Sequence, residues 1–110
     1  MKAQIKVLLI VLTISLNSVE YAVSATKTWS GNSNSDWNNS GNWVGGIIAD
    51  SSDNVVINSN APNNLILTQN QKITNLTING DTLDLGGFTF EISGTAYFNG
   101  GLVTNGLVKP

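Results

Sequence analysis

The sequence predicts an all-β fold, a right-handed parallel β-helix, on three observations. Short β-branched and apolar runs end repeatedly in Asn, Gly or Asp; these runs recur with a period of about twenty residues; and no window beyond the first 25 residues shows helical periodicity. Val55, Leu76 and Ala96 open runs 21 and 20 positions apart, and Leu65, Leu83 and Leu102 open runs 18 and 19 apart. A looser third series contains Ile73, Phe88 or Phe90, and Leu107. Three short strands per period is what a three-sided solenoid requires, with inward side chains stacking from coil to coil. Leu83, Leu85, Phe88, Phe90 and Ile92 alternate with Asp84, Thr89 and Glu91, as strands with one buried face do. The alternative is a small antiparallel β-sandwich, with Gly80-Asp81 and Gly86-Gly87 as hairpin turns.

The chain divides into three parts. Residues 1–25 read as a secretory signal peptide: Lys2 and Lys6 form a positive start, Val7 to Leu12 with Ile14 and Leu16 form an apolar run too short for a stable bilayer span, and Val23-Ser24-Ala25 offers small side chains for cleavage. The expected mature start is Thr26, and the expected location is secreted or cell-surface, with no membrane insertion once the leader is removed. Residues 26–53 are rich in Asn, Ser and Gly, with Trp29, Trp37 and Trp43 as their large apolar anchors, and are expected to cap the solenoid. Residues 54–110 carry the repeated strands. Their Asn content, at 58, 60, 63, 64, 79, 99 and 105, fits turns with left-handed backbone and side-chain ladders between coils.

Composition excludes several chemistries. With no Cys and no His, disulfides, thiolate or imidazole zinc sites and Ser-His-Asp or Cys-His catalysis cannot occur. An exported chain without disulfides points to a bacterial source. After residue 25 there are six acids against three lysines and no Arg, a net charge near −3 that disfavours nucleic acid and anionic membrane surfaces. No cofactor is expected.

Thr28-Trp29-Ser30-Gly31, Asp36-Trp37-Asn38, Asn42-Trp43 and the stretch from Asp50 to Ile57 resemble the opening of large secreted bacterial β-helix proteins of the adhesin-like, autotransporter-associated kind. Ile73 to Gly80, Thr82 to Gly87 and Phe88 to Gly94 are similar to their repeated coils. The resemblance implies an extracellular β-solenoid, a stalk or surface protein, and suggests glycans or surface proteins as partners. Such proteins usually run to several hundred residues, so this chain is expected to be the N-terminal piece of a longer product or a truncated relative. A solenoid end without a polar cap exposes strand edges, from which self-association through the C-terminal edge is expected.

No catalytic residue is assigned. Asp81, Asp84 and Glu91 are the nearest approach to a carboxylate pair, and nothing in their spacing specifies the cleft that two-carboxylate hydrolysis needs. Asp50 and Asp53, in Asp50-Ser51-Ser52-Asp53-Asn54, are a weak calcium candidate; the competing reading is an Asx-type turn leading into the Val55 strand. The tryptophans separate two functions. Packed inward, Trp29, Trp37 and Trp43 cap the core of a structural or adhesive, non-catalytic segment. Exposed, they would stack on sugar rings in a carbohydrate-binding module.

Overall fold

In a computed structural model, residues 24–110 are described; most of the leader, including its apolar run, lies outside them. Ten strands succeed one another: β1 (Thr26–Trp29), β2 (Asn54–Ile57), β3 (Leu65–Ile66), β4 (Gln71–Ile73), β5 (Asn75–Ile78), β6 (Thr82–Asp84), β7 (Thr89–Ile92), β8 (Ala96–Phe98), β9 (Leu102–Thr104) and β10 (Leu107–Lys109). They form three sheets, ordered β1-β2-β5-β8, β3-β6-β9 and β4-β7-β10. From β2 onward each strand pairs with the strand three further along the chain. Every pairing between these strands is parallel. The antiparallel sandwich is therefore corrected: Gly80-Asp81 and Gly86-Gly87 are corners between strands of different sheets, not hairpin turns.

Register follows the apolar series closely but not everywhere. Val55 lies beside Leu76, and Leu76 beside Ala96. Leu65 lies beside Leu83, whose next neighbour is Val103 rather than Leu102. In the third sheet Ile73 pairs with Ile92 and Phe90 with Val108, so Leu107 and Phe88 are not the stacking residues. Leu102 and Leu107 stand exposed on the outer side. The physical reason is that Leu-Val-Thr and Leu-Val-Lys each place two apolar residues side by side. A strand of three residues with adjacent apolar side chains has no alternation from which to choose its inner face.

Inward positions bury almost completely. Val55, Ile57, Leu76 and Ile78 from the first sheet, Leu65 and Leu83 from the second, and Ile73, Phe90 and Ile92 from the third form one apolar cluster, joined by Leu67 and Leu85. Outward neighbours such as Val56, Thr77, Asp84 and Glu91 remain partly open. The corners repeat as well. Asn60, Asp81 and Gly101 all have positive φ, at 74°, 63° and 81°, at equivalent places before β3, β6 and β9. Asn and Asp tolerate that left-handed backbone better than most residues, which accounts for their place in the punctuation.

Side-chain amides tie successive strand layers together outside the core. Asn79 Nδ2 donates to Asn58 Oδ1 at 2.8 Å, and Asn99 Nδ2 donates to Asn79 Oδ1 at 2.9 Å. A second step joins Asn75 Nδ2 to Asn54 Oδ1 at 2.9 Å, and Asn75 Oδ1 accepts from the Thr95 backbone N–H at 2.7 Å.

The part expected to be only a cap contributes a strand of its own, since β1 extends the first sheet beside β2. Ser24 and Ala25, the last two residues of the expected leader, also reach this region. The Ala25 carbonyl accepts from the Asn54 N–H at 2.8 Å, and Ser24 Oγ donates to the Ser52 carbonyl at 2.9 Å.

Candidate functional site

The strongest concentration of aromatic and polar side chains lies at the N-terminal end of the stack. Trp29, Trp37 and Trp43 are 2%, 1% and 3% exposed. Trp43 stands between the other two, edge-on to Trp29 at 5.3 Å and to Trp37 at 4.9 Å between ring centres, and Trp37 meets Phe90 edge-on at 5.8 Å. Edge-to-face packing aligns the positive rim of one ring with the negative face of the next. Each indole N–H also finds a carbonyl: Trp29 bonds to Asn63 at 3.0 Å, Trp37 to Ala49 at 3.3 Å and Trp43 to Trp37 at 2.8 Å. Indoles this deeply buried leave no ring face open to stack on a sugar. Of the two placements weighed for Trp29, Trp37 and Trp43, the rings occupy the inward one, and the exposed placement that glycan stacking requires is not adopted.

Asn42 organises the loop that carries the indoles, a role its sequence position did not announce. It is fully buried, and Oδ1 accepts from the backbone N–H groups of Ser33 at 2.9 Å and Asn34 at 2.8 Å. Its Nδ2 donates to Asn34 Oδ1 at 2.6 Å and to the Asp36 carbonyl at 2.8 Å. A buried amide with its donors and acceptor satisfied fixes an irregular loop as a ladder fixes a strand. The short 3₁₀ turn Ser40–Asn42 is capped by the Asn39 side chain, which accepts from the Gly41 N–H. Gly31 is required by geometry. Its φ is +63°, and a Cβ there would run into the Asn63 carbonyl. Asn63 in turn donates through Nδ2 to the Gly31 carbonyl at 2.7 Å.

Asp50 and Asp53 sit beside this cap. Asp50 Oδ1 accepts from the Ser52 N–H at 2.9 Å and the Ser52 hydroxyl at 2.7 Å, the geometry of an Asx turn. Asp53 is buried and forms an ion pair with Lys27 Nζ at 2.6 Å, while the same oxygen accepts from the Asp50 N–H at 2.9 Å. Burial by itself would raise the Asp53 pKa. The Lys27 hydrogen bond, the Asp50 N–H, the Lys27 charge and the Ala25 N–H together outweigh it and hold the carboxyl below its ordinary 3.8. The two acids are thus committed to a turn and to a lysine. Among the described residues no group of three or more acids converges on a point where a metal ion could sit.

Asp81, Asp84 and Glu91, the nearest approach to a carboxylate pair in the sequence, each engage a different local partner. Asp81, at a corner, accepts from the backbone N–H groups of Asn60 at 3.0 Å and Ala61 at 2.8 Å in the preceding layer. Asp84, on the second sheet, accepts from Gly86 N–H at 2.8 Å. Glu91, on the third sheet, lies 3.6 Å from Lys72. That outer face holds an open depression of about 590 Å³, lined among others by Asn70, Lys72, Thr89, Glu91 and Lys109. It contains one carboxylate and two amines, without a second acid to share proton transfer. No family model matches the chain, and neither the curated proteins nor the solved structures contain a match.

Proposed function

We propose that the three parallel sheets are the faces of a right-handed parallel β-helix, and that the chain is an extracellular, non-catalytic structural or adhesive segment of a bacterial surface or secreted protein. The observation that carries this reading is the register. Val55, Leu76 and Ala96 succeed one another on adjacent parallel strands while the second and third sheets repeat the same three-strand order. Successive coils wound about one axis would produce that order, and stacked inward side chains would produce the common core. The leader-like start, with Lys2 and Lys6 before the Val7–Leu12 run, supports export. Engagement of Asp81, Asp84 and Glu91 in separate local interactions supports a passive surface. Contact with glycans or surface proteins then falls to the outer strand faces rather than to the indoles.

Expression with the native leader in a secreting bacterium, followed by cell fractionation and N-terminal sequencing, tests the proposal. The expected result is an extracellular or surface-bound chain beginning at Thr26. Retention in the cytoplasm with Met1 in place would refute export. A glycosidase or lyase activity abolished by Asp81→Asn, Asp84→Asn or Glu91→Gln would refute the non-catalytic role.

A further inference from the structure

Residues 26–110 contain three lysines, and the fold separates one from the other two. Lys27 is bound to the buried Asp53. Lys72 and Lys109 both stand on the outer face of the third sheet, where the register sets Lys72 beside Glu91 and Glu91 beside Lys109. This row alternates with the inward Ile73, Phe90, Ile92 and Val108, so its charges point away from the core. Neighbouring strands lie ~4.8 Å apart, which spreads the row over roughly 10 Å. A second row lies two residues along the strands: Asn70 Oδ1 accepts from the Thr89 N–H at 2.8 Å, and Thr89 pairs in register with Leu107, which is 58% exposed. Both rows line the depression of about 590 Å³, a size within the range of about 300–1,000 Å³ common for ligand sites. They occupy a sheet face, so a strand added beside β4 or β10 would lengthen the site without covering it.

We infer that this face binds a polysaccharide containing uronic acid, its carboxylate received by Lys72 or Lys109 and its hydroxyls by Glu91, Thr89 and Asn70; the inference rests on the extracellular, adhesive reading above. The first row offers a cation, an anion and a cation in turn. Two ammonium groups face a single carboxylate, with Lys72 at 3.6 Å from it, and the excess positive charge is met by an anionic group of the ligand. Glu91 has the opposite need. An ionised carboxylate only accepts hydrogen bonds, so it calls for donors that sugar hydroxyls supply and that a bare polyanion such as polyphosphate lacks. The Asn70 carbonyl is taken by the Thr89 N–H, and the group it offers a ligand is therefore the Nδ2 donor. Leu107 adds an apolar contact for the C–H face of a ring. Six acids against three lysines over residues 26–110 give no long-range attraction for a polyanion, so recognition falls to these short contacts.

The test uses the full chain expressed with its leader. Calorimetric titration with oligogalacturonate and with alginate oligomers is expected to show saturable binding of at least one, weakening as salt rises. The methyl ester of the bound oligomer keeps the hydroxyls and loses the charge, and is expected to bind roughly tenfold less tightly or worse. Lys72→Gln and Lys109→Gln are each expected to weaken the uronate about tenfold. Both positions are exposed, so these variants keep the fold. Glu91→Gln separates recognition from simple charge attraction: it is expected to weaken the uronate, through the lost charged acceptor, and to strengthen polyphosphate, through the lost repulsion. Tighter uronate binding by that variant, equal binding of the methyl ester, or binding indifferent to both lysine substitutions overturns the site. Attachment to a neutral glycan or a surface protein while neither uronate binds overturns this inference alone. A chain that stays in the cytoplasm and binds neither uronate overturns the extracellular, adhesive reading with it.

Discussion

At one end of the strand stack Trp29, Trp37 and Trp43 are almost wholly withdrawn from water, and at the other Phe98 is 56% exposed although it continues the column of Ile57 and Ile78. The strand chemistry of the two ends is alike: both offer parallel edges and inward apolar side chains. They differ in the covering laid over the last edge. At the N-terminal end a loop of nearly 25 residues between β1 and β2 folds back over the stack, and its backbone is held by Asn42, Asn39 and Asn63. At the C-terminal end nothing among the described residues lies over β8, β9 or β10. Burial here is set by position in the stack as much as by residue type. An aromatic residue is core where a loop covers it and surface where none does.

The largest expected contrast lies between aromatic truncations at the two ends. Trp37→Ala should cost about 3 to 5 kcal/mol, the range for large aromatic residues removed from a core, enough to unfold a domain this small. Phe98→Ala should cost about 1 kcal/mol, since only part of its surface is buried. Chemical denaturation of both variants measures the difference, and equal costs would remove the distinction between closed and open ends.

Next in size is the ion pair beneath the cap. Lys27→Met leaves the buried Asp53 carboxylate without its cation and should cost roughly 3 kcal/mol. The pH dependence has a definite sign. Asp53 has a folded pKa below its unfolded value, so its stabilisation is complete above the ordinary 3.8 and is lost as pH falls through that value toward the folded pKa. Thermal unfolding measured down an acid series should show this loss in the parent protein, and Asp53→Asn should flatten that part of the curve.

Asn42→Ala strands the Ser33 and Asn34 N–H groups and should cost about 2 kcal/mol, read by the same denaturation measurement. The smallest effect belongs to the amide ladder. Asn79 makes two ladder bonds and Asn99 one, so Asn79→Ala should cost about 1 kcal/mol and Asn99→Ala about half as much. Equal values would mean that the ladder does not run cooperatively toward the open end.

The first sheet was legible because Asn-Leu-Thr-Ile alternates cleanly and Asn-Val-Val-Ile lies 21 positions before it in the same frame, so that Val55 and Ile57 follow Leu76 and Ile78 inward although Val56 is apolar too. The last two strands were legible as strands but not in their facing. Leu102 and Val103, like Leu107 and Val108, are adjacent apolar residues, and only the layer beneath them selects the valines. The tryptophans were visible as anchors, whereas Asn42 was one Asn among many. Its importance comes from four side-chain hydrogen bonds, to Ser33, Asn34 and Asp36, within a loop that has no period. The pairing of β1 with β2 was hidden for a similar reason, since Thr26–Trp29 and Asn54–Ile57 are joined by the long loop and share no regular interval with the later repeats.

The contact between Trp37 and Phe90 spans 53 positions, 90 minus 37, whereas most neighbouring strands in the stack are separated by about one repeat. Its consequence is an order of events during synthesis. Layers can pair as soon as the next repeat is available, but the closing of Trp37 against Phe90 must wait until the third sheet has received its middle strand. Trp37, in a segment made early, therefore gains this partner late, whereas Trp29 and Trp43 find theirs within residues 29–63. The share of the fluorescence that belongs to Trp37 is consequently expected to change last, with the consolidation of this chain rather than its nucleation.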